Sequence, residues 1–211
     1  MFFITRAIKE AEVRRAELID AALELFTSNG YQKTMIIDIV KKTGAAKGTF
    51  YHYFSSKEAI LEAICTRWAT ETATSFELES RQFTALSKLQ LFITRLFHPN
   101  QLNLFFKRLC DEEQLNLYYK LWRIIVENVF NPLITDIIQQ GNQEDTMHVA
   151  SPKETTAFFW STLSCVWEAV LFQEPSEIIA IKIKIAESLL ERALDTKEGM
   201  LKLSLPSQGI A

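Results

Sequence analysis

The sequence predicts an all-α fold. No segment alternates apolar and polar residues with the period of two that a half-buried strand requires, and only six glycines interrupt the 211 residues. Apolar residues instead recur three and four positions apart, which places them on one face of successive helices. The pattern predicts about nine helices, short ones near the N-terminus and longer ones after them.

The first two helices have clear ends. The first is predicted over Ala11–Ser28 with Leu18, Ala22, Leu25 and Phe26 on its inner face, and Asn29-Gly30 closes it with glycine in the left-handed position. Thr34 is placed to cap a short second helix, whose inner residues are Ile36, Ile39 and Val40. Thr43-Gly44 ends that helix.

A third short helix is predicted over 46–53. Ser55 and Glu58 have the spacing of a capping box, which starts a fourth helix that continues to about Glu79. The remaining helices are predicted at 82–96, 101–109, 112–140, 152–173 and 176–195.

Prolines and glycines divide this second part of the chain. Pro132 should kink or divide the helix over 112–140, and Gly141 should end it. Ser151 and Glu154 frame a second capping box with Pro152 at the first helical position, and Pro175 begins the last helix in the same way. The tail after Thr196 is expected to fray.

Two short helices joined by a Gly-containing turn, with a helix before and after, form a helix-turn-helix arrangement. The second helix of such a pair fits the major groove of DNA. The predicted division is a helix-turn-helix domain at 1–54, a connecting helix at 55–80, a larger helical domain at 81–196 and a tail at 197–211.

The segment GAAKGTFYHYFSSKE (44–58) carries the candidate DNA contacts. Lys47 and Lys57 stand at helix starts, where a cation is unfavourable unless an anion such as phosphate binds there. Gly48 costs helix stability and is explained by close approach to a large partner. The candidate DNA-binding residues are Thr34, Lys47, Gly48, Thr49, Tyr51, His52, Tyr53 and Lys57.

Packing explains part of the same segment. Phe50 and Phe54 are four residues apart and should face the core, whereas Tyr51 and Tyr53 could either pack inward or face outward. Each lysine alone could be a solvated surface charge. The DNA-binding interpretation therefore rests on the combination of these residues in one helix-turn-helix frame.

Residues 29–61, NGYQKTMIIDIVKKTGAAKGTFYHYFSSKEAIL, resemble the DNA-binding domain of the tetracycline-repressor (TetR) family of bacterial transcription regulators. The resemblance implies a homodimer that binds double-stranded DNA at a near-palindromic operator. It also implies a C-terminal domain that binds a small-molecule effector. Effector binding would then shift the fourth helix and change the separation of the two reading helices. Ala45-Ala46 replaces the more usual Val-Ser of the family, which removes one hydroxyl that can bond phosphate.

The two last predicted helices are too apolar to be covered on one side alone. This pattern, with the family resemblance, favours a subunit interface, although ordinary core packing is the alternative. The candidate dimer residues are Thr162, Cys165, Ala169, Ile178, Ile185 and Leu189. Candidate effector contacts are the aromatic residues Phe105, Phe106, Tyr118, Trp122, Trp160 and Trp167, and ordinary core packing is the alternative for each.

Composition argues against other classes. The sequence has no recognisable catalytic motif, so no enzyme activity, catalytic residue or cofactor is expected. Three widely spaced cysteines predict neither a disulfide framework nor a metal site and suit a reducing cytoplasm. No apolar run is long enough to span a bilayer. Residues 1–68 carry ten Lys and Arg against eight Asp and Glu, whereas residues 69–211 carry thirteen against eighteen. The first third of the chain is therefore mildly basic and the rest is acidic.

The sequence predicts a DNA-binding transcription regulator. We expect it to be a repressor that an effector releases from its operator. One alternative is a dimeric DNA-binding protein without an effector. A second is an all-α protein that binds a small molecule and whose N-terminal helices only pack. A third is an adaptor that binds proteins through its exposed aromatic residues.

Overall fold

In the computed structural model, which describes residues 2–98 and 101–203, the chain is all-helical, as predicted. No helix in this described part is long and apolar enough to cross a membrane. The helices are α1 (Phe2–Asn29), α2 (Ile36–Thr43), α3 (Lys47–Tyr53), α4 (Lys57–Ser80), α5 (Ala85–Phe97), α6 (Gln101–Asp111), α7 (Leu115–Ile125), α8 (Asn131–Gln143), α9 (Pro152–Leu171) and α10 (Ser176–Ala193).

Glycines end α1 and α2 as the sequence predicts. Gly30 has φ +92° and Gly44 has φ +64°, and both values belong to the left-handed region that favours glycine. The Gly30 N–H donates to the Phe26 carbonyl at 3.2 Å, and the N–H after Gly44 donates to the Val40 carbonyl at 3.0 Å. These bonds satisfy carbonyls that a helix end would otherwise leave unpaired.

Two predicted helix caps are wrong by one residue. Met35, not Thr34, is the residue before α2, and the Asp38 carboxylate accepts the Met35 N–H at 2.8 Å. Ser56, not Ser55, caps α4, because its hydroxyl oxygen accepts the Ala59 N–H at 3.0 Å. The sequence pattern cannot tell these neighbouring positions apart, because Ser55 and Ser56 both carry a hydroxyl and Met35 directly follows Thr34.

Pro132 acts on the helix before it. A π-helical segment, Val126–Phe130, joins α7 to α8 without a break, so the described residues form nine continuous helical stretches. Proline lacks an N–H and its ring collides with the carbonyl four residues earlier, and a widened turn removes that collision. The predicted single helix over 112–140 is therefore two α-helices that meet at this segment.

Gly141 does not end α8, which continues to Gln143. Gly141 is buried, and a Cβ built on it would lie 2.7 Å from Met147 Cγ. Glycine is required here because the loop after α8 folds back and packs Met147 directly against the helix backbone. The predicted stop signal is therefore a close-packing site.

The start of α9 and the tail also differ from prediction. Pro152 is the first residue of α9, but the Ser151 side chain makes no capping hydrogen bond. The tail does not fray over 197–203, because Leu201 and Leu203 are buried and Gln90 bonds both the N–H and the carbonyl of Lys202. Residues 204–211 of the predicted tail lie outside the described residues.

The chain forms two compact units. The first combines Met1–Trp68 with Gln101–Ile125, and the second combines Ala69–Asn100 with Val126–Ala211. In the first unit, α1 packs on α2 and α6, and Phe26, Ile39 and Phe50 are fully buried. In the second, an aromatic chain links Phe76 to Phe92 at 5.6 Å between ring centroids and Phe92 to Phe130 at 5.3 Å. The predicted domain boundaries stay a prediction.

A histidine joins the loop after α8 to the end of α10 within the second unit. One ring nitrogen of His148 lies 3.0 Å from Asp145 Oδ1, and the other lies 3.3 Å from the Asp195 carbonyl oxygen. Both partners accept hydrogen bonds, so the imidazolium form, which donates from both nitrogens, is favoured. The hydrogen bond to Asp145, with the Asp195 carbonyl, raises the pKa of His148 above its ordinary value.

We predict that His148 stabilises the protein at acidic pH more than at alkaline pH. The folded-state pKa is raised, so the contribution is complete below the unfolded value of about 6.5 and disappears as pH rises through the folded value. The measurement is the free energy of unfolding of the wild type and His148→Gln across this range, together with an NMR titration of the His148 ring. A His148 pKa at or below the unfolded value would contradict the prediction.

Candidate nucleic-acid interface

The outward edge of α3 carries most of the predicted DNA contacts. Lys47, Gly48, Tyr51 and His52 are exposed, while Thr49 and Tyr53 are half-buried. Tyr51 retains 49% of its surface in the open, which places it outside the core and resolves one of the alternatives left by the sequence. Tyr53 meets the His52 ring edge to face, 4.9 Å between centroids.

The inner face of α3 explains why this edge is presented. Phe50 is fully buried and Phe54 is 4% exposed, and their ring centroids lie 5.7 Å apart. The prediction that both pack inward is confirmed. A seven-residue helix anchored by these two rings turns its other side outward.

Lys47 and Gly48 lie on the open side of this helix. The Lys47 ammonium lies 6.0 Å from the centre of the Tyr51 ring, so the cation and the phenol share one patch. A Cβ built on Gly48 would meet no atom within 4 Å. Packing within the chain therefore does not require glycine at position 48. This agrees with a requirement for glycine that a closely approaching binding partner imposes.

The Thr34 side chain faces inward. It is 1% exposed, and its hydroxyl donates to the Gly30 carbonyl at 2.8 Å, with the Leu25 carbonyl at 3.2 Å. The structure thus gives the hydroxyl the task of closing the turn between α1 and α2, not of capping α2 or facing a partner. This corrects the expectation that Thr34 contacts DNA through its side chain.

Lys57 also holds this turn. Its ammonium donates to the Tyr31 carbonyl at 2.8 Å and the Thr34 carbonyl at 3.1 Å, and lies 4.2 Å from the centre of the Tyr31 ring. Burial lowers the pKa of Lys57, while the negative charge of Glu112 acts in the opposite direction. The cation that the sequence assigns to a phosphate is engaged with backbone carbonyls, which favours a positioning role over the expected contact with DNA.

Arg108 of α6 and Glu112, which directly follows α6, reach the same turn and were not predicted. Glu112 accepts the Gln32 N–H at 3.3 Å, and Arg108 donates to the Thr27 carbonyl and, at 3.2 Å, to the Ser28 carbonyl. About eighty positions separate each pair in the sequence. No local pattern could have pointed to these contacts, because neither residue belongs to a motif.

The candidate effector contacts divide between the two units. In the first unit, Phe106 lies 5.4 Å from Tyr118 and 6.3 Å from Trp122, centroid to centroid, and Phe105 lies 6.4 Å from Phe26. In the second unit, Trp160 stacks on Phe130 and Trp167 packs against Phe97.

Most candidate dimer residues lie on one apolar surface of α9 and α10. A groove of about 310 Å³ is lined by Phe158, Ser161, Thr162, Cys165, Lys182, Ile185, Ala186 and Leu189. Ile178, Ile185 and Leu189 are 42%, 54% and 51% exposed, and Phe158, which was not predicted, is 69% exposed. Ala169 is fully buried, so its predicted place on this surface is wrong.

Comparison with known proteins matches residues 18–64 to the family model of bacterial regulatory proteins, tetR family. An uncharacterized HTH-type transcriptional regulator of Bacillus subtilis, YvdT, is 44% identical over 64 residues, which are 30% of this chain and 33% of that protein. The chain thus spans a third of that relative's length. The fatty acid metabolism regulator protein of Bacillus subtilis is 25% identical over 190 residues, 87% of this chain and 97% of that protein.

A solved structure has the same fold. The transcriptional regulator FadR from Bacillus subtilis in complex with stearoyl-CoA superimposes with a TM-score of 0.55 at 22% sequence identity, covering 87% of this chain and 99% of that one. Residues 18–64 thus match the helix-turn-helix model of the tetR family of bacterial regulatory proteins, and a regulator aligns along most of the chain.

Proposed function

We propose that the chain is a homodimeric, sequence-specific regulator of transcription that a small-molecule effector releases from a near-palindromic operator. The observation that carries the proposal is the outward edge of α3, where Lys47, Tyr51 and His52 surround a glycine that internal packing does not require. The family is one of regulators, not of enzymes. Such a regulator acts where bacterial DNA lies, in the cytoplasm.

The chemistry of this edge suits the major groove. An ammonium can contact phosphate or the acceptors of guanine, and Tyr and His side chains can bond either phosphate or base edges. Thr49 adds a methyl group that can meet the methyl of thymine. The missing hydroxyl at Ala46 leaves Lys47 as the nearest phosphate ligand at the start of α3.

The effector is proposed to carry a long apolar chain. The relative aligned over most of the chain is named a fatty acid metabolism regulator, and the FadR structure holds stearoyl-CoA. Acyl-CoA compounds are therefore the first effectors to add to the DNA-binding assay described below. The aromatic residues of α6 and α7 in the first unit are the proposed contacts.

We predict that Lys47 and Lys57 affect DNA binding differently. Duplexes selected from a random pool are titrated against the protein by fluorescence anisotropy in a salt series. Lys47→Ala should weaken binding and reduce the slope of log K against log salt by about 0.9 for each subunit bound, because one phosphate contact is lost. Lys57→Ala should leave the slope unchanged and lower the free energy of unfolding by about 1–3 kcal/mol.

Three results would count against this assignment. Failure to select any inverted-repeat sequence would refute the proposed function. An unchanged slope with Lys47→Ala would remove Lys47 from the phosphate contacts. A slope that falls equally with Lys57→Ala would restore Lys57 as a phosphate ligand and refute its positioning role.

We predict that Gly48→Ala separates stability from DNA binding. Alanine is favoured over glycine inside a helix by up to about 1 kcal/mol, and the new methyl group meets open space. Thermal or denaturant unfolding should therefore show a more stable protein. The anisotropy assay should show weaker operator binding, because the methyl group occupies space that the duplex needs. Undiminished binding would show that the backbone does not approach DNA closely here.

We predict that Leu189→Glu converts the dimer into a monomer. Leu189 is half exposed beside the groove of α9 and α10, so a carboxylate would be tolerated in the free subunit but not in a buried interface. Light scattering coupled to gel filtration measures the mass, and circular dichroism checks the fold. Leu78→Glu is the matched control, because Leu78 is 56% exposed on α4. A wild-type protein that is already monomeric, or an unaffected variant dimer, would contradict the proposed interface.

A further inference from the structure

The end of α1 and the turn that follows it, residues 27–34 together, are held by side chains from distant parts of the first unit. Lys57 of α4 donates to two of its carbonyls, as described above. Arg108 of α6 donates to the last carbonyls of α1, and Glu112, which directly follows α6, accepts the Gln32 N–H at 3.3 Å. Hydrogen bonds with a charged partner are the stronger ones in proteins, and Arg108 and Glu112 are both charged.

Arg108 supplies what α1 lacks. The last turn of α1 contains no basic residue, although the carbonyls at a helix C-terminus attract a cation. Arg108 reaches the Thr27 and Ser28 carbonyls, and its Nε lies 3.4 Å from Glu112 Oε1. One guanidinium therefore bridges the end of α1 and the carboxylate that holds the next residues of the turn.

The fit around Gly30 is close. A Cβ built on Gly30 would overlap the Glu112 carboxylate and lie 3.3 Å from Arg108 Nε. The turn and α6 therefore touch at a position where no larger side chain fits. A displacement of α6 along or across its axis must either break these contacts or move the turn.

The same helix carries candidate effector contacts. Phe105 and Phe106 lie on α6, and Phe106 meets Tyr118 and Trp122 of α7. Lys120 of α7 in turn pairs with Glu58 and, at 2.7 Å, with Glu62 of α4. The aromatic residues and the charged contacts therefore lie on the same two short helices, α6 and α7. A ligand that moves the aromatic residues also moves the charged contacts.

We propose that Arg108 and Glu112 form a latch through which α6 sets the α1–α2 turn, and with it the orientation of α2 and α3. Both are positioning residues and touch no DNA. This inference rests on the proposed function and deepens it. It adds the turn before α2 as a point at which α6 acts on DNA reading.

Coupling between two sites is reciprocal, so the latch can be tested without knowing the effector. If α6 acts on the reading helices, operator binding must act on α6 and α7. The probe is the ¹⁹F NMR spectrum of the full-length protein labelled with 5-fluorotryptophan. The four tryptophans give four resonances, and Trp122→Phe identifies that of Trp122.

The selected operator duplex should shift the Trp122 resonance of the wild type. In the Arg108→Gln/Glu112→Gln variant, the shift should vanish and operator affinity should change about fivefold or more, the usual lower range of allosteric coupling. The salt slope should stay that of the wild type, because no phosphate contact is removed. Arg95→Gln/Glu79→Gln is the matched control, since it removes an Arg–Glu pair from the second unit.

Each outcome decides between two statements. A wild-type Trp122 resonance that ignores the operator, or a shift that persists in the latch variant, would overturn the latch while DNA binding stands. Absence of specific binding by the wild type would instead refute the proposed function. If the double variant does not fold, Glu112→Gln alone, which keeps the size of the side chain, is measured with Arg108→Lys as the charge-conserving rescue.

Discussion

Helices of eight and seven residues do not hold their shape alone in water, and this constraint governs the DNA-reading part of the molecule. α2 and α3 depend on what surrounds them. Ile39, Val40 and Phe50 are buried against neighbouring helices, which fixes the inner faces. Their direction is then set where the chain enters α2, at the turn after α1. Every polar group that steadies this turn consequently influences which side of α3 faces outward.

Two kinds of cation serve this domain, and the structure separates them. Lys47 lies on the open edge, and among the described residues no carbonyl of the turn accepts a hydrogen bond from it. Lys57 instead donates to backbone carbonyls and faces the Tyr31 ring. Both look alike in the sequence, since each begins a helix. An ammonium satisfied by carbonyls gains little from a phosphate, because it would first have to give up those bonds. This contrast supports the proposal that Lys47 reads DNA and Lys57 positions the turn.

Local signals account for what the sequence predicted well. The ends at Gly30 and Gly44 are predicted correctly because glycine is the commonest residue in the left-handed position after a helix, and Phe50 and Phe54 because four-residue spacing defines a face. The predicted helix end at Gly141 is wrong, because a glycine in a helical pattern can mark either a helix end or a close contact. The packing of Met147 against Gly141 shows that it is a close contact. Arg108 and Glu112 could not be found at all, because their partners lie about eighty residues away.

The small size of α3 gives a reason for a second subunit, and therefore for the apolar surface of α9 and α10. A seven-residue helix reaches only three or four base edges, and each good contact discriminates by about 1–3 kcal/mol. Three or four such contacts supply about 3–12 kcal/mol, whereas specific regulators exceed their non-specific binding by about 4–10 kcal/mol, so one copy of α3 suffices only when its contacts are individually strong. Two copies on a near-palindrome double the contacts without a larger domain. We infer that the exposed Ile185, Leu189 and Phe158 are retained because the second copy that they hold makes DNA reading selective.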